Sequence, residues 1–226
     1  MITSATNPKL KLIKRLLDSR RQREKEGLFA VEGEDLVEAA RNADIEPVEL
    51  LLAGEDVEPE LLAAISTLGH PPRVIGVYRK TDLPTGATPL AVALWHVGDP
   101  GNVGTLMRTA DAFGASVALS VGCADPTSPK ALRASAGAIF RVKTARFDDA
   151  PRPWVALLAH GGEELHHVEL GVEASFVLGA ERDGLPDDVV ARCDARATIP
   201  LAGEAESLNV AMAGAVALYE FRRRLF

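Results

Sequence analysis

Nine consecutive residues near the C-terminal end, 210–218, carry no polar side chain. A helix that is apolar on every side is buried on every side, so this run predicts a central helix. Ala211, Ala213, Gly214, Ala215 and Ala217 let neighbouring backbones come close. Upstream, residues 198–201 read as the end of a strand and Ala202-Gly-Glu204 as a turn, where glycine admits backbone angles other residues avoid. Glu206, Ser207 and Asn209 crowd acceptors around the helix start, where unpaired N–H groups need them. The polar end of a buried helix therefore faces something specific.

The rest of the chain alternates helices with short strands. Asn7-Pro8 marks a helix start, and Leu10, Ile13, Leu16 and Leu17 recur at helical spacing until Gly27. Strands are expected at 28–33, 48–53 and 73–78, with helices at 34–43 and 59–68. Residues 81–89, rich in Pro, Gly and Thr, read as a linker. A continuous apolar strand follows at 90–97, of the kind buried in a parallel sheet. After it come a helix stopped by Gly114, a strand at 116–121, a helix at 129–140 and strands at 141–147, 155–159 and 175–178. A helix at 184–193 and a last strand at 195–201 lead to the C-terminal helix. The expected class is α/β, with a small unit at 1–80, a linker at 81–89 and a larger, mostly parallel-sheet unit at 90–226.

Two cysteines without paired spacing suggest neither a disulfide framework nor a cysteine zinc site. The first residues lack an apolar signal core, and no apolar run is long enough to span a bilayer. A cytoplasmic protein is expected. The net charge of −7 argues against nucleic acid, but its distribution does not. Residues 1–26 hold eight basic side chains against three acidic ones. Phosphate backbones respond to such local patches, so Lys9, Lys14, Arg20, Arg21 and Arg23, with Arg133 further on, are candidate RNA contacts.

In open parallel sheets, ligands sit beyond the carboxyl ends of the strands, and three loops fall there. Gly98-Asp-Pro-Gly-Asn-Val-Gly104 places Asn102 at a helix start, readable as a plain N-cap, and Arg108 nearly two turns in. It carries no dinucleotide or P-loop glycine pattern, which weighs against a dinucleotide-dependent oxidoreductase. Leu178-Gly-Ala-Glu-Arg-Asp-Gly-Leu-Pro186 flanks a carboxylate, Glu181, with glycines; that carboxylate could orient Arg108 or Asn209. The third loop is the stretch before the C-terminal helix. His96 reads as a structural hydrogen-bonder. His166-His167 lacks the carboxylate or cysteine spacing that would complete a metal site, so no metal is expected.

Together and in this order, the three loops resemble the signature motifs of the SpoU/TrmH family of RNA ribose 2′-O-methyltransferases, within the SPOUT superfamily. The matches are Asn102, Gly104 and Arg108; Gly179, Glu181, Gly184 and Leu185; then Ile199-Pro-Leu201 and Glu206-Ser-Leu-Asn-Val210. Residues 128–140 also resemble the family, and residues 7–33 resemble its L30e-like substrate-binding domain. The resemblance implies a trefoil knot in the C-terminal part, a homodimer whose active sites draw on both subunits, and S-adenosylmethionine as cofactor. It implies cofactor contacts at Leu178, Gly179, Ala180, Ile199, Leu201 and Leu208. It implies catalytic or substrate roles for Asn102, Arg108, Glu181, Ser207 and Asn209, with Arg108 open between general base and phosphate clamp, since a free guanidinium stays protonated. The implied activity is methyl transfer to a ribose 2′-OH of structured RNA, ribosomal before transfer RNA. A non-catalytic RNA-binding protein of the same fold is the alternative.

Overall fold

The computed structural model of the chain describes residues 1–225. Helix α1 (Pro8–Asp18) starts as expected: the Asn7 carboxamide oxygen accepts from the Lys9 amide at 2.9 Å, and Leu10, Ile13, Leu16 and Leu17 point inward. The helix does not run on to Gly27. Ser19 is extended and its hydroxyl caps a second helix, α2 (Arg20–Glu26). A serine at such a point offers the backbone an alternative to the next helical turn.

Strands β1 (Leu28–Glu32), β2 (Glu49–Leu52) and β3 (Val74–Arg79) form an antiparallel sheet in the order β1-β3-β2, with α3 (Glu34–Asn42) and α4 (Pro59–Ile65) between them in the chain. Successive side chains alternate across it. Ala30 packs in the core of α1 and α4, while Phe29 and Val31 enter a core shared with the rest of the molecule.

The second unit runs β4 (Leu90–Leu94), α5 (Pro100–Phe113), β5 (Ser116–Leu119), α6 (Pro129–Ser135), β6 (Thr144–Arg146), β7 (Trp154–Leu158), β8 (Glu163–Glu164), β9 (Ala174–Leu178), α7 (Asp187–Val190), β10 (Ala195–Thr198) and α8 (Val210–Arg223). Its seven strands are all parallel, in the order β6-β5-β4-β9-β7-β10-β8. Leu90, Val92 and Leu94 face one core and Ala93 the opposite one, so β4 reads as unbroken apolar sequence because both faces of the sheet are covered. Residues 84–86 are not slack: the Thr144 amide donates to Pro84 O at 3.1 Å and Gly86 N to Thr144 O at 2.9 Å.

Three further helices differ from expectation. α6 stops at Ser135, because Ala136 and Gly137 take left-handed angles (φ 47° and 82°) and turn the chain into a short 3-10 segment. Helix 184–193 shrinks to the four residues of α7, with Gly184 also left-handed at φ 66°. α8 is not enclosed: Met212, Val216 and Tyr219 are 50%, 39% and 57% exposed, although Ala211, Ala217, Leu218 and Phe221 are buried. Among the described residues no helix is long and apolar enough to cross a membrane.

The two units share one apolar core. Phe140 of the second unit meets Phe29 and Tyr78 of the first at centroid separations of 6.1 and 5.5 Å. Also between the units, Arg23 of α2 pairs with Asp125 at 2.7 Å, both nearly sealed from solvent.

Candidate active site

The start of α5 is built around Asp99. One carboxylate oxygen accepts from the amides of Gly101 at 2.5 Å and Asn102 at 3.2 Å, and the other from the Lys130 ammonium at 2.8 Å. Lys130 first, then those amides, hold this carboxyl below the usual aspartate range. Asp99 is therefore the cap, and Asn102 is not; it sits within the first turn with its carboxamide free to reach elsewhere. It reaches the turn after β9, where its Nδ2 donates to Glu181 Oε1 at 2.9 Å. Glu181 also accepts from the amides of Gly98 at 3.1 Å and Asp99 at 3.0 Å.

That turn is tight. Ala180 and Gly184 exchange two backbone hydrogen bonds of 3.1 and 3.0 Å. A Cβ on Gly179 would lie 2.1 Å from the carbonyl carbon of Gly184, so no side chain fits there. On the other side, Asn209 caps α8: its Oδ1 accepts from Ala211 N at 2.9 Å and Met212 N at 3.3 Å, and its Nδ2 donates to Asn102 Oδ1 at 3.1 Å.

The polarity of this chain of groups is fixed at both ends. Helix amides can only donate, so Asn209 turns its oxygen to them and its NH2 outward. Asn102 then presents oxygen to Asn209 and NH2 to Glu181, whose ionised carboxylate can only accept. Burial alone would raise the Glu181 carboxyl, but the N–H groups of Asn102, Asp99 and Gly98 outweigh it and hold it below the usual glutamate range. Such a group is a weak base and a firm organiser.

Two cavities share this wall. One, of about 420 Å³, lies over the carboxyl ends of β7, β9 and β10. Leu178, Gly179, Ala180, Glu181, Ile199, Leu201, Ser207, Leu208 and Asn209 all line it, so the structure brings these nine expected residues together. The other, more open and of about 520 Å³, is bounded by Gly98, Asp99, Asn102 and residues 180–183.

Arg108 is not brought to either cavity. It stands exposed on α5, and Glu181 holds Asn102 rather than Arg108. Residues not expected at the site also line the first cavity: Leu157 and Leu158 at the end of β7 and Ala159 just after it, with Val210 and Ala213 on α8. The signal for the first three was strand order, which periodicity does not carry.

Among the candidate RNA contacts, Lys14 and Arg21 are exposed. Arg23 must be withdrawn: it is 4% exposed, with its guanidinium committed to Asp125 and to Leu16 O at 2.6 Å. Arg20 is largely engaged as well, with Glu24 at 2.7 Å and Cys123 O at 2.9 Å. Lys9 pairs with Glu49 at 2.8 Å, and Arg133 bonds Thr67 Oγ1 at 3.0 Å. A carboxylate does stand by the histidine pair, contrary to the spacing argument: ligand atoms of Glu164, His166 and His167 lie within 4.8 Å of one another, all exposed.

Residues 89–219 match the SpoU rRNA Methylase family, and residues 7–80 match the MRM3-like substrate binding domain. The 23S rRNA (guanosine(2553)-2′-O)-methyltransferase RlmP of Bacillus subtilis is 30% identical, over 98% of this chain and 98% of that protein. The structure of an AdoMet-bound rRNA methyltransferase from Sinorhizobium meliloti superposes with a TM-score of 0.88 at 30% identity, covering 100% of this chain and 98% of that one. AviRb, a SpoU methyltransferase from Streptomyces viridochromogenes solved with AdoMet, gives 0.85 at 26% identity, covering 97% and 98%.

Proposed function

The chain belongs to the SpoU methylase family, and from that premise we propose that it transfers a methyl group from S-adenosylmethionine to a ribose 2′-OH of ribosomal RNA. The observation that carries this reading is the Glu181–Asn102–Asn209 network, set in a wall common to two cavities. One cavity serves the methyl donor and the other the ribose.

The first cavity fits the donor. Its volume lies in the range of small-ligand sites. Its apolar side chains, Leu157, Leu178, Ile199, Leu201 and Leu208, suit a flat heterocycle, and the turn at Gly179 leaves backbone rather than side chain facing it. Gly179, Ala180, Ile199 and Leu208 would hold it largely through main-chain atoms. When bound, it supplies a methyl group on a positively charged sulfur, which is a good leaving group.

The protein's own residues then have separable tasks. Glu181, Asn102 and Asn209 fix the turn and the helix end relative to each other, so that the two reactants meet in line. Ser207, exposed at the rim, offers its hydroxyl to the incoming ribose. Glu181, whose carboxylate is taken up by the N–H groups of Gly98, Asp99 and Asn102, is assigned to positioning rather than to removal of the ribose proton. That task, or the grip on an RNA phosphate, falls to Arg108 of a second copy. The homodimer this requires is supported by the exposed apolar stripe of Met212, Val216 and Tyr219 on α8. A trefoil knot around α8 belongs to the same reading. So does a division of labour in which residues 1–80 present RNA, 81–89 link, and 90–226 carry out transfer in the cytoplasm, without a metal.

Transfer RNA is the second substrate to test. A non-catalytic RNA-binding role is disfavoured because every member of the polar network is present. The test is incubation of purified protein with tritiated S-adenosylmethionine and unmodified ribosomal RNA transcripts, followed by mapping of ribose methylation. Label on bases, or none on RNA despite donor binding, would overturn the reading.

A further inference from the structure

Among the described residues, three other than glycine have a left-handed backbone: Asp44, His96 and Ala136. Asp44 and Ala136 follow the ends of α3 and α6, where this conformation commonly closes a helix. His96, at φ 53°, follows strand β4 and has no such reason. A strained residue persists when its surroundings over-determine it, and such residues gather at working sites.

The surroundings of His96 do determine it. Its amide donates to Ser120 Oγ at 3.0 Å. Its imidazole lies parallel to the Trp95 ring, with centroids 4.9 Å apart and planes 6° from parallel. In the loop after β5, a Cβ on Gly122 would stand 3.1–3.2 Å from Cδ2, Cγ and Nε2 of the ring, so glycine there leaves room for it. Two loops thus shape themselves around one side chain. Yet the residue is exposed, and its ring nitrogens make no hydrogen bond among the described residues.

Its place gives this meaning. Two residues further on, Gly98 binds Glu181 through its amide and, with Asp99 and Asn102, bounds the second cavity. In the loop that carries Gly122, Val121 is 93% exposed. With Trp95 and Gly122 packed against the ring, its edge is the part left to act. An imidazole has two distinct ring nitrogens, and either can make a single hydrogen bond to a nucleobase edge in unpaired RNA. We infer that His96 is a substrate-positioning residue whose imidazole edge hydrogen-bonds the nucleotide flanking the reacting ribose. The inference rests on the methyltransferase reading and adds a contact at the lip of its RNA side.

The test compares wild type with H96G, H96A and H96N on unmodified ribosomal RNA transcripts. Glycine takes a left-handed angle freely and asparagine tolerates it, so H96G is expected to melt at or above the wild-type temperature. Loss of one hydrogen bond predicts that KM for RNA rises about fivefold in H96G and H96A. Turnover at saturating RNA and affinity for S-adenosylmethionine should stay unchanged. H96N, which keeps a donor and an acceptor, should return KM to within about twofold of wild type. An unchanged RNA KM in H96G, or a loss shared with donor affinity, overturns the inference. Filter-binding affinities for the same transcript give the variant ratios independently of transfer. A wild type that methylates no RNA would therefore sink the wider reading while the His96 contact is still decided.

Discussion

Two carboxamides carry polarity from a helix end to a carboxylate, and Asn102 is the joint between them. Asn102→Asp removes the donor that Glu181 uses and sets two carboxylates side by side, each raising the other's pKa. The fold has little reason to suffer, since the side chain stands near the surface. Methyl transfer is expected to fall by about a hundredfold, the scale of a small misplacement of reacting groups, with a melting temperature close to wild type. Unchanged turnover would remove the network from the chemistry. Glu181, Ser207 and Asn209 were legible as residues because polar side chains at strand ends and helix starts stand out from apolar surroundings. Their partners were not. That Asp99 rather than Asn102 caps α5 is written in Asp99-Pro100, the same signature as Asn7-Pro8, and was overlooked; that two backbone amides hold Glu181 depends on atoms no side-chain pattern encodes.

At the scale of elements, packing turns on close approach. A Cβ on Gly104 of α5 would fall 2.2 Å from Ala131 O of α6, so Gly104→Ala must drive the two helices apart. Overpacking of this kind costs about 1–3 kcal/mol, read as a loss of roughly 2–4 °C in melting temperature per kcal/mol. At the end of α8, hydrogen bonds from Arg223, and then from Arg224, hold the Glu220 carboxyl down at about 2. A depressed carboxylate adds stability above its unfolded pKa and loses it as pH falls through the folded one. The advantage of wild type over Glu220→Gln in thermal melts should be full at pH 7 and vanish between about pH 4 and pH 2. A gap that persists at pH 2 would assign the stabilisation to something other than charge. The parallel sheet was foreseeable from strands and helices in alternation, and its order was not, since β7 enters between β9 and β10 by contacts distant in sequence. Helix ends failed where backbone angles decide, at Ser19 and Ala136.

For the molecule as a whole, the two units behave as one body. Asp125→Ala strands the buried Arg23 guanidinium and is expected to cost about 3–5 kcal/mol, lowering the melting temperature by roughly 10 °C. Replacing both partners, Arg23→Met with Asp125→Leu, should restore most of that loss; equal damage from single and double changes would show that the pair is not what matters. Association can be tested on the open stripe of α8. Tyr219→Glu places a charge among Met212 and Val216 and should shift sedimentation from dimer to monomer, abolishing transfer if Arg108 acts across the interface. A wild type that sediments as a monomer would refute the shared site.

The sealed contact between the units, with Phe140 wedged against Phe29 and Tyr78, sets a constant span between the α1–α2 surface and the cleft. If the first unit grips RNA, the molecule works as a caliper. Adding a base pair to the stem between the gripped feature and the target sugar should abolish modification instead of moving it along the strand.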